Sequence, residues 1–447
     1  MGDAPATASV ADTARVLGGV LGPILAQGVI VRRPRAVAAA GRLHLDDRAV
    51  AILGRMRERY GRGPLRLRVP GRSVALVLDP DDVTRVLRDS PEPFAADSRE
   101  KRGALGHFQP HGVLVSHGQV RDERRRFVEA VLETGHPVHR TAGAMGPTAR
   151  EEATRLADLA AITGVLDWDR FDAAWTPMVR RIVLGDAARE DHELTALLTA
   201  LRGQANWSYL SPARPDRLER LRLRLGAYVG AAAPGSLAAL VAAASAPDRV
   251  DRVDQIPQWL FAFDPAGQAA FRALALLAAH PDLLARVAVD ADDASADDLA
   301  RGAVLESVRL WPTTAVVLRD TTTETHWEGG GTLPAGTALG IVSSFFHRDT
   351  ATVPAADRFD PERWTEGRAD DGHTLLPFSA GPVVCPGREV VLHVAGTVLR
   401  TLLRRVTVAP VPPSPLDPDR PLPRGLDPFA LRFAVGARRD AAAVAGG

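Results

Sequence analysis

The texture of the chain changes once, near Leu310, and that change constrains the fold more than any bulk figure. Before it, apolar residues recur at helical spacing, with helices expected over 45–62, 81–90 and 120–132 and through most of the stretch to Leu310. The exception is "LRLRVPGRSVALVL", which reads as a two-stranded hairpin around Pro70-Gly71. After it, "TAVVLRDTTTETHWEGGGTLPAGTALGIVSSFFHRD" is rich in β-branched residues and turn glycines and reads as several short strands. A last helix is expected over 388–404, then a hairpin around "PRGLDPFALRFAV". Strands so far apart in sequence can only be brought together on a common helical body. With no repeat and no linker, the expectation is one large α+β domain, mainly helical with small β-sheets, over 45–447.

Residues 1–44 form an arm. Its apolar stretch "VLGGVLGPILAQGVIV" is 16 residues long, short of the ~20 that a membrane-spanning helix needs. No basic region precedes it and no cleavage pattern follows, so it is expected to lie on the protein, giving no membrane span and a cytoplasmic location. Charge adds an exclusion. With 55 basic against 54 acidic residues, the net charge of +1 offers no field for nucleic acid. Arginine supplies every basic residue except Lys101, a bias that suggests a GC-rich bacterial genome.

One cysteine, Cys385, rules out an internal disulfide framework and any multi-thiolate zinc site. Its surroundings are unusual. "PFSAGPVVCPGREVV" places Phe378, Gly381 and Gly387 around it, a combination that composition alone would give this cysteine about two times in ten thousand. Glycines permit close backbone approach, a helix N-terminus stabilises a thiolate, and Phe378 can shield the sulfur. A shielded, hydrogen-bonded thiolate suits a heme iron.

The segment resembles the heme-binding loop of the cytochrome P450 family, and further motifs follow in the family's order from about Leu45. The resemblance implies heme b (iron protoporphyrin IX) with Cys385 on the iron. "LESVRL" and "FDPERW" would supply a structural ion-pair triad of Glu306, Arg309 and Arg363. His117 and Arg121, four apart in "SHGQVRDERRRF", and Arg319 match ligands of the heme propionates, with Arg125 in reserve. Val383 stands where many relatives carry a basic residue two positions before the cysteine, and His347 is a candidate to compensate.

The helix ending at His280-Pro281 aligns with the family's oxygen-side helix, where an acid is followed by threonine. Here Asp264 is followed by Pro265. A proline removes the N–H that would bond the carbonyl of Phe261 and so can open a groove, but it carries no hydroxyl for a proton relay. Two oxidants stay open: O₂, with Asp264 and water moving protons, or peroxide. The family's peroxide-using branch has Arg before Pro to hold a fatty-acid carboxylate, whereas Asp264 would suit a cationic group better. By resemblance, Phe261, Thr314, Val316 and Leu426 line a mainly apolar substrate pocket.

The resemblance thus implies a soluble bacterial monooxygenase of secondary metabolism acting on a largely apolar small molecule by oxygen insertion or oxidative coupling. Electrons would come from a separate ferredoxin and its reductase, and a monomer is expected. The alternatives are a peroxygenase and a heme-binding sensor without turnover.

Overall fold

The computed structural model describes residues 5–289, 293–328, 331–369 and 374–438. Its longer helices are α1 (Leu45–Tyr60), α2 (Pro80–Arg88), α3 (Arg99–Leu105), α4 (Gly118–Leu132), α5 (Ala142–Thr163), α6 (Trp168–Leu184), α7 (His192–Ala205), α8 (Pro215–Ala231), α9 (Ile256–Ala279), α10 (Ala294–Leu310) and α11 (Arg388–Arg405). The boundaries follow local chemistry. Asp79 caps α2 through the Asp81 N–H with Pro80 at the first position, and Ser98 caps α3 through the Lys101 N–H.

Helix α9 is the centre of the molecule. Sixteen of its 24 residues are buried, which is expected of a helix covered on most sides rather than one with a single apolar stripe. It packs against α6, α10 and α11, and side chains from all four join one core that includes Phe171, Trp175, Phe271, Leu274, Val304 and Leu399. The helix runs unbroken through Pro265 and ends at Ala279, where Pro281 opens the next short helix.

The strands β1 (Leu65–Leu67), β2 (Val74–Leu76), β3 (Phe94–Ala95), β5 (Val316–Thr321) and β8 (Ala338–Val342) form one sheet in the order β1-β2-β8-β5-β3. The hairpin around Pro70-Gly71 is present, with Leu65 opposite Leu76, and β2 joins the distant β8 in parallel. A three-stranded sheet is built from β4 (Val165–Asp167), β9 (Val406–Pro410) and β10 (Arg432–Ala437), and a two-stranded ribbon from β6 (Thr325–Trp327) and β7 (Gly331–Leu333).

One expectation changes here. Residues around 423–435 do not pair with one another as a hairpin. The stretch before β10 is a turn ending in a short helical segment at Pro428–Ala430, and β10 pairs with β9 and β4 instead. The apolar alternation of "LRFAV" marked a strand correctly, but its partners lie elsewhere in the chain.

The arm lies on the body. Thr7 bridges to Arg66 of β1, and the segment 10–27 is helical with a π-helical middle at Leu17–Leu21. The arm meets the α7–α8 connection at Asn206. Its side-chain oxygen accepts the N–H groups of Ile30 (2.9 Å) and Val31 (3.1 Å), and its amide donates to the Val31 carbonyl at 2.8 Å. Among the described residues no helix is long and apolar enough to cross a membrane.

Candidate active site

Cys385 sits on a loop between Phe378 and the start of α11. Its amide N–H donates to the Phe378 carbonyl at 2.9 Å, closing the loop. Gly381 is required for a reason the sequence did not reveal: at φ +66°, an added Cβ would lie 2.3 Å from the Leu87 carbonyl oxygen of α2. Gly387 caps α11, where a Cβ would make only an ordinary contact with Leu132. Burial pushes the Cys385 thiol up, opposed by the Gly387 amide and by Arg125 and Arg388.

Arg125 reaches that loop from α4. Its guanidinium donates to the Val384 carbonyl at 2.8 Å and to Glu129 at 2.6 Å. Arg121, one turn earlier, is also buried, while His117 lies before the first turn of α4 and is exposed. The imidazole of His117 faces Asp97 at 3.3 Å and Glu92 at 3.7 Å. The inward pair on this helix is therefore Arg121 and Arg125.

Arg121 and Arg319 form a cationic cradle. Arg319 is 2 % exposed and its polar contacts are Ser90 Oγ and the Leu318 carbonyl, both at 3.0 Å. Nε and Nη2 of Arg121 are buried without a partner, and Nη1 reaches Asp122 at 3.2 Å. Burial, with Arg121 as like-charged neighbour, pushes Arg319 down to about 10. Lys101 joins them. Its ammonium donates to the carbonyls of Ala96 (2.8 Å) and Leu318 (3.1 Å), and burial followed by repulsion from Arg319 pushes it down to about 7. As the sole lysine it could have been singled out from sequence, but nothing local marked it as interior.

His347 is 1 % exposed and spends both ring nitrogens on backbone. Nδ1 donates to the Arg309 carbonyl at 3.2 Å, and Nε2 accepts the Leu376 N–H at 2.9 Å. Burial pushes the ring down to about 3, which fixes it neutral. Glu306, Arg309 and Arg363 do meet. Arg309 holds Glu306 through two bonds of 2.6 and 2.8 Å with both side chains fully buried, and Arg363 lies 3.4 Å away. Trp364 adds an indole donor to Glu306 at 2.9 Å, and Arg309 also reaches the carbonyls of His347, Ala356 and Arg358. This cluster ties α10 to the segment that precedes the cysteine loop.

On α9, Asp264 forms an ion pair with Arg202 of α7, which itself lies over the Phe261 ring at 4.9 Å. Asp172 of α6 lies near enough for Asp264, after burial, to help push its carboxyl up to about 6. Opposite, the indole N–H of Trp175 donates to the Phe263 carbonyl at 2.8 Å. Gly267 makes room for it, since a Cβ there would sit 2.9 Å from the indole nitrogen. Neither contact is readable from sequence, because the partners are 62 and 88 residues apart.

The expected pocket residues separate. Phe261 packs edge-on against Phe108, Val316 opens β5 opposite Val342, and the Thr314 carbonyl accepts from Ser343. Leu426 lines a small cavity between the arm, α9 and the 424–429 turn, together with Gln268, Arg272 and Ala315.

Comparison with known proteins narrows the reading. Residues 269–426 match the family model described as cytochrome P450. A cyclooctat-9-en-7-ol 5-monooxygenase of Streptomyces melanosporofaciens is 35% identical over 150 residues, 31% of this chain and 32% of that protein. A cyclooctatin synthase of the same organism is 35% identical over 115 residues, 25% of each chain. The aligned regions thus span about a third or less of these relatives' length. Solved structures match far more broadly. A cytochrome P450 crystal structure, CYP102L1, superposes with a TM-score of 0.71 over 87% of this chain and 94% of its own, at 19% identity. Retinoic acid-bound cyanobacterial CYP120A1 does so at 0.70 over 86% and 94%, at 18% identity.

This chain has the cytochrome P450 fold.

Heme b is the cofactor of that fold, and the residues present suit it. The buried Nε and Nη2 of Arg121, which have no protein partner, and Arg319, bonded only to the Ser90 hydroxyl and the Leu318 carbonyl, form a buried cationic site of the kind the propionates of a heme would require. One turn along α4, Arg125 fixes the loop that carries the thiol. A second titratable group on the P450 fold, His111 with Asp251 and Asp254, lies within metal-ligand spacing. Arg222 already fills it as the cation, donating to Asp254 at 2.7 Å and Asp251 at 2.5 Å.

Proposed function

We propose that the protein is a heme-thiolate monooxygenase that oxidises a small organic molecule, with electrons delivered by a separate ferredoxin and its reductase. The reading rests chiefly on one relationship: α4 joins a buried cationic cradle with unpartnered donors, Arg121 with Arg319, to the loop holding Cys385. In this role Cys385 ligates the iron as a thiolate, and Phe378 and the closed loop exclude water from it. Bound heme would supply the activation of oxygen, as an iron centre with a thiolate ligand does.

The protein's own task is to orient the substrate and deliver protons. Pro265 leaves the Phe261 carbonyl without its helical donor, while Trp175 takes up the Phe263 carbonyl from outside. That leaves a polar notch on α9 where water can sit beside Asp264. Asp264 holds and passes protons there, with Arg202 as its counter-charge. The kinship of a named monooxygenase from Streptomyces supports oxygen insertion and a bacterial secondary-metabolic setting. A cytoplasmic location and a monomeric state belong to the same proposal.

Pro265 favours a second reading as well. Lacking the alcohol, the site suits peroxide as the oxidant, which needs fewer delivered protons. Two experiments decide. The ferrous carbon monoxide adduct is expected to show the strongly red-shifted Soret band of thiolate ligation, lost in Cys385→Ala; an unshifted band refutes the proposal. Turnover with reduced ferredoxin and O₂ is expected to exceed turnover with hydrogen peroxide, and the reverse result selects the peroxygenase. Loaded protein that turns over with neither, across a broad substrate panel, would be a sensor.

A further inference from the structure

The single lysine of this arginine-rich chain sits at the cradle. Lys101 lies in the first turn of α3, where the Ser98 hydroxyl accepts its amide N–H at 3.3 Å. From there its ammonium crosses to the sheet edge at which β3 pairs with β5, and donates to the carbonyls of Ala96 (2.8 Å) and Leu318 (3.1 Å). An ammonium carries three N–H donors, so one is left over. Arg319 donates to the same Leu318 oxygen at 3.0 Å. Two nitrogens bonded to one oxygen at 3.1 and 3.0 Å are no more than about 6 Å apart. Lys101 is therefore a third cation of the cradle that Arg319 and Arg121 form.

Three carboxylates lie around Lys101, and each is held by another cation. Asp97 pairs with Arg102 at 2.7 Å and faces His117 at 3.3 Å. Asp320 and Glu100 pair with Arg72 at 2.7 and 3.1 Å. Among the described residues no carboxylate comes within ion-pair distance of the ammonium, whose bonds are the two to carbonyls. On its remaining side stand Arg319 and, beyond it, Arg121, whose Nη1 is taken up by Asp122 at 3.2 Å.

This setting acts on the amine. Burial and then Arg319 push it down from the ordinary 10.5 to about 7, against the pull of Asp97, Asp320 and Glu100. A guanidinium in the same place would stay charged, whereas an amine can give up its proton. A carboxylate brought to the free N–H reverses the balance, because an opposite charge nearby favours the protonated form.

We propose that Lys101 makes heme binding proton-linked: a propionate seated on the cradle also meets the third N–H of Lys101, and the amine takes up one proton from solvent as heme enters. This rests on the heme reading of the cradle. Below about pH 7 the amine of the heme-free protein is already charged, and pH has no effect through it. Above that value the proton must be acquired on binding, so heme affinity falls as pH rises, by up to roughly tenfold per pH unit.

The test is the equilibrium partition of heme between this protein and an apoglobin acceptor at about pH 6.5, 7.5 and 8.5. Each variant is compared with the unaltered protein at the same pH, so the titration of the acceptor cancels. At the lowest pH the unaltered protein is expected to hold heme roughly tenfold or more tightly than Lys101→Met, and the gap should close towards the highest. Lys101→Arg, charged throughout, should keep its advantage over Lys101→Met at all three. Lys101→Gln, which keeps a donor without the charge, should behave as the methionine variant and replaces it if that variant fails to fold. No gap at the lowest pH, or a gap of one size at all three, would overturn the proposal and leave the third N–H to solvent. A proton-linked gap in a protein whose carbon monoxide spectrum lacks the thiolate signature would refute the monooxygenase reading alone. A normal spectrum with a pH-independent gap would refute this one alone.

Discussion

The indole N–H of Trp175 donates to the main-chain carbonyl of Phe263, two residues before the proline of the central helix. A side chain from α6 thus adds an outside donor to the backbone of α9, two residues beyond the Phe261 carbonyl whose helical donor Pro265 removes, and Gly267 provides the space. Trp175→Phe is expected to cost ~1 kcal/mol, because one buried hydrogen bond is lost. Gly267→Ala should cost a similar ~1–3 kcal/mol through overpacking. Since the clash is with the indole nitrogen, the double variant should be destabilised by less than the sum, as urea denaturation would measure.

Removing one side of the cradle should affect the empty and the heme-loaded protein in opposite directions. Without heme, Arg319→Met discards a desolvated charge with no carboxylate partner, so thermal stability should be unchanged or higher. With heme, the propionates lose a charged donor, and heme transfer to an apoglobin acceptor should be accelerated at least tenfold. Slower transfer, or equal destabilisation of both forms, would show that Arg319 serves packing alone.

The buried pair Glu306–Arg309 cannot lose one member cheaply. Arg309→Leu leaves a fully buried carboxylate with Arg363, the Trp364 indole and the Asp360 N–H but without its bidentate partner, at a cost of ~3–5 kcal/mol. Soluble yield should collapse. Trp364→Phe removes a single donor and should cost only ~1 kcal/mol, with folded protein recovered.

Asp172 gives a pH signature. Its carboxyl is pushed up to about 6 by burial and then by Asp264, so the folded chain holds this proton more tightly than the unfolded chain does. The associated stability is fully present below the ordinary value of 3.8 and is lost as pH rises through about 6. Its size is on the order of 3 kcal/mol. Denaturation profiles of Asp172→Asn should decline less steeply than those of the unaltered protein across this window, the remainder coming from other raised carboxyls such as Asp82; identical slopes would contradict the assignment.

Much of this was legible in the sequence where a pattern is local. Helix spans, the 65–76 hairpin and the Glu306–Arg309 pair depend on spacing or turn chemistry within a dozen residues. The basic helix shows where local reading loses resolution. With arginines at 121, 124, 125 and 126, spacing allows His117–Arg121 and Arg121–Arg125 equally. Burial chooses between them, and burial depends on the cysteine loop more than 250 residues away. His347 looked available for a propionate because nothing nearby disclosed that Arg309 and Leu376 would occupy its ring. The Arg202–Asp264 pair, the Trp175 contact and the cavity beside Leu426 are likewise products of tertiary packing.

Asn206 stitches the arm to the α7–α8 connection through three hydrogen bonds, across 175 residues of sequence. Arg33, stacked over the Trp207 ring at 5.0 Å, tightens the same seam. The two segments are consequently coupled: the α7–α8 connection cannot move outward without breaking these bonds or carrying the N-terminal segment along.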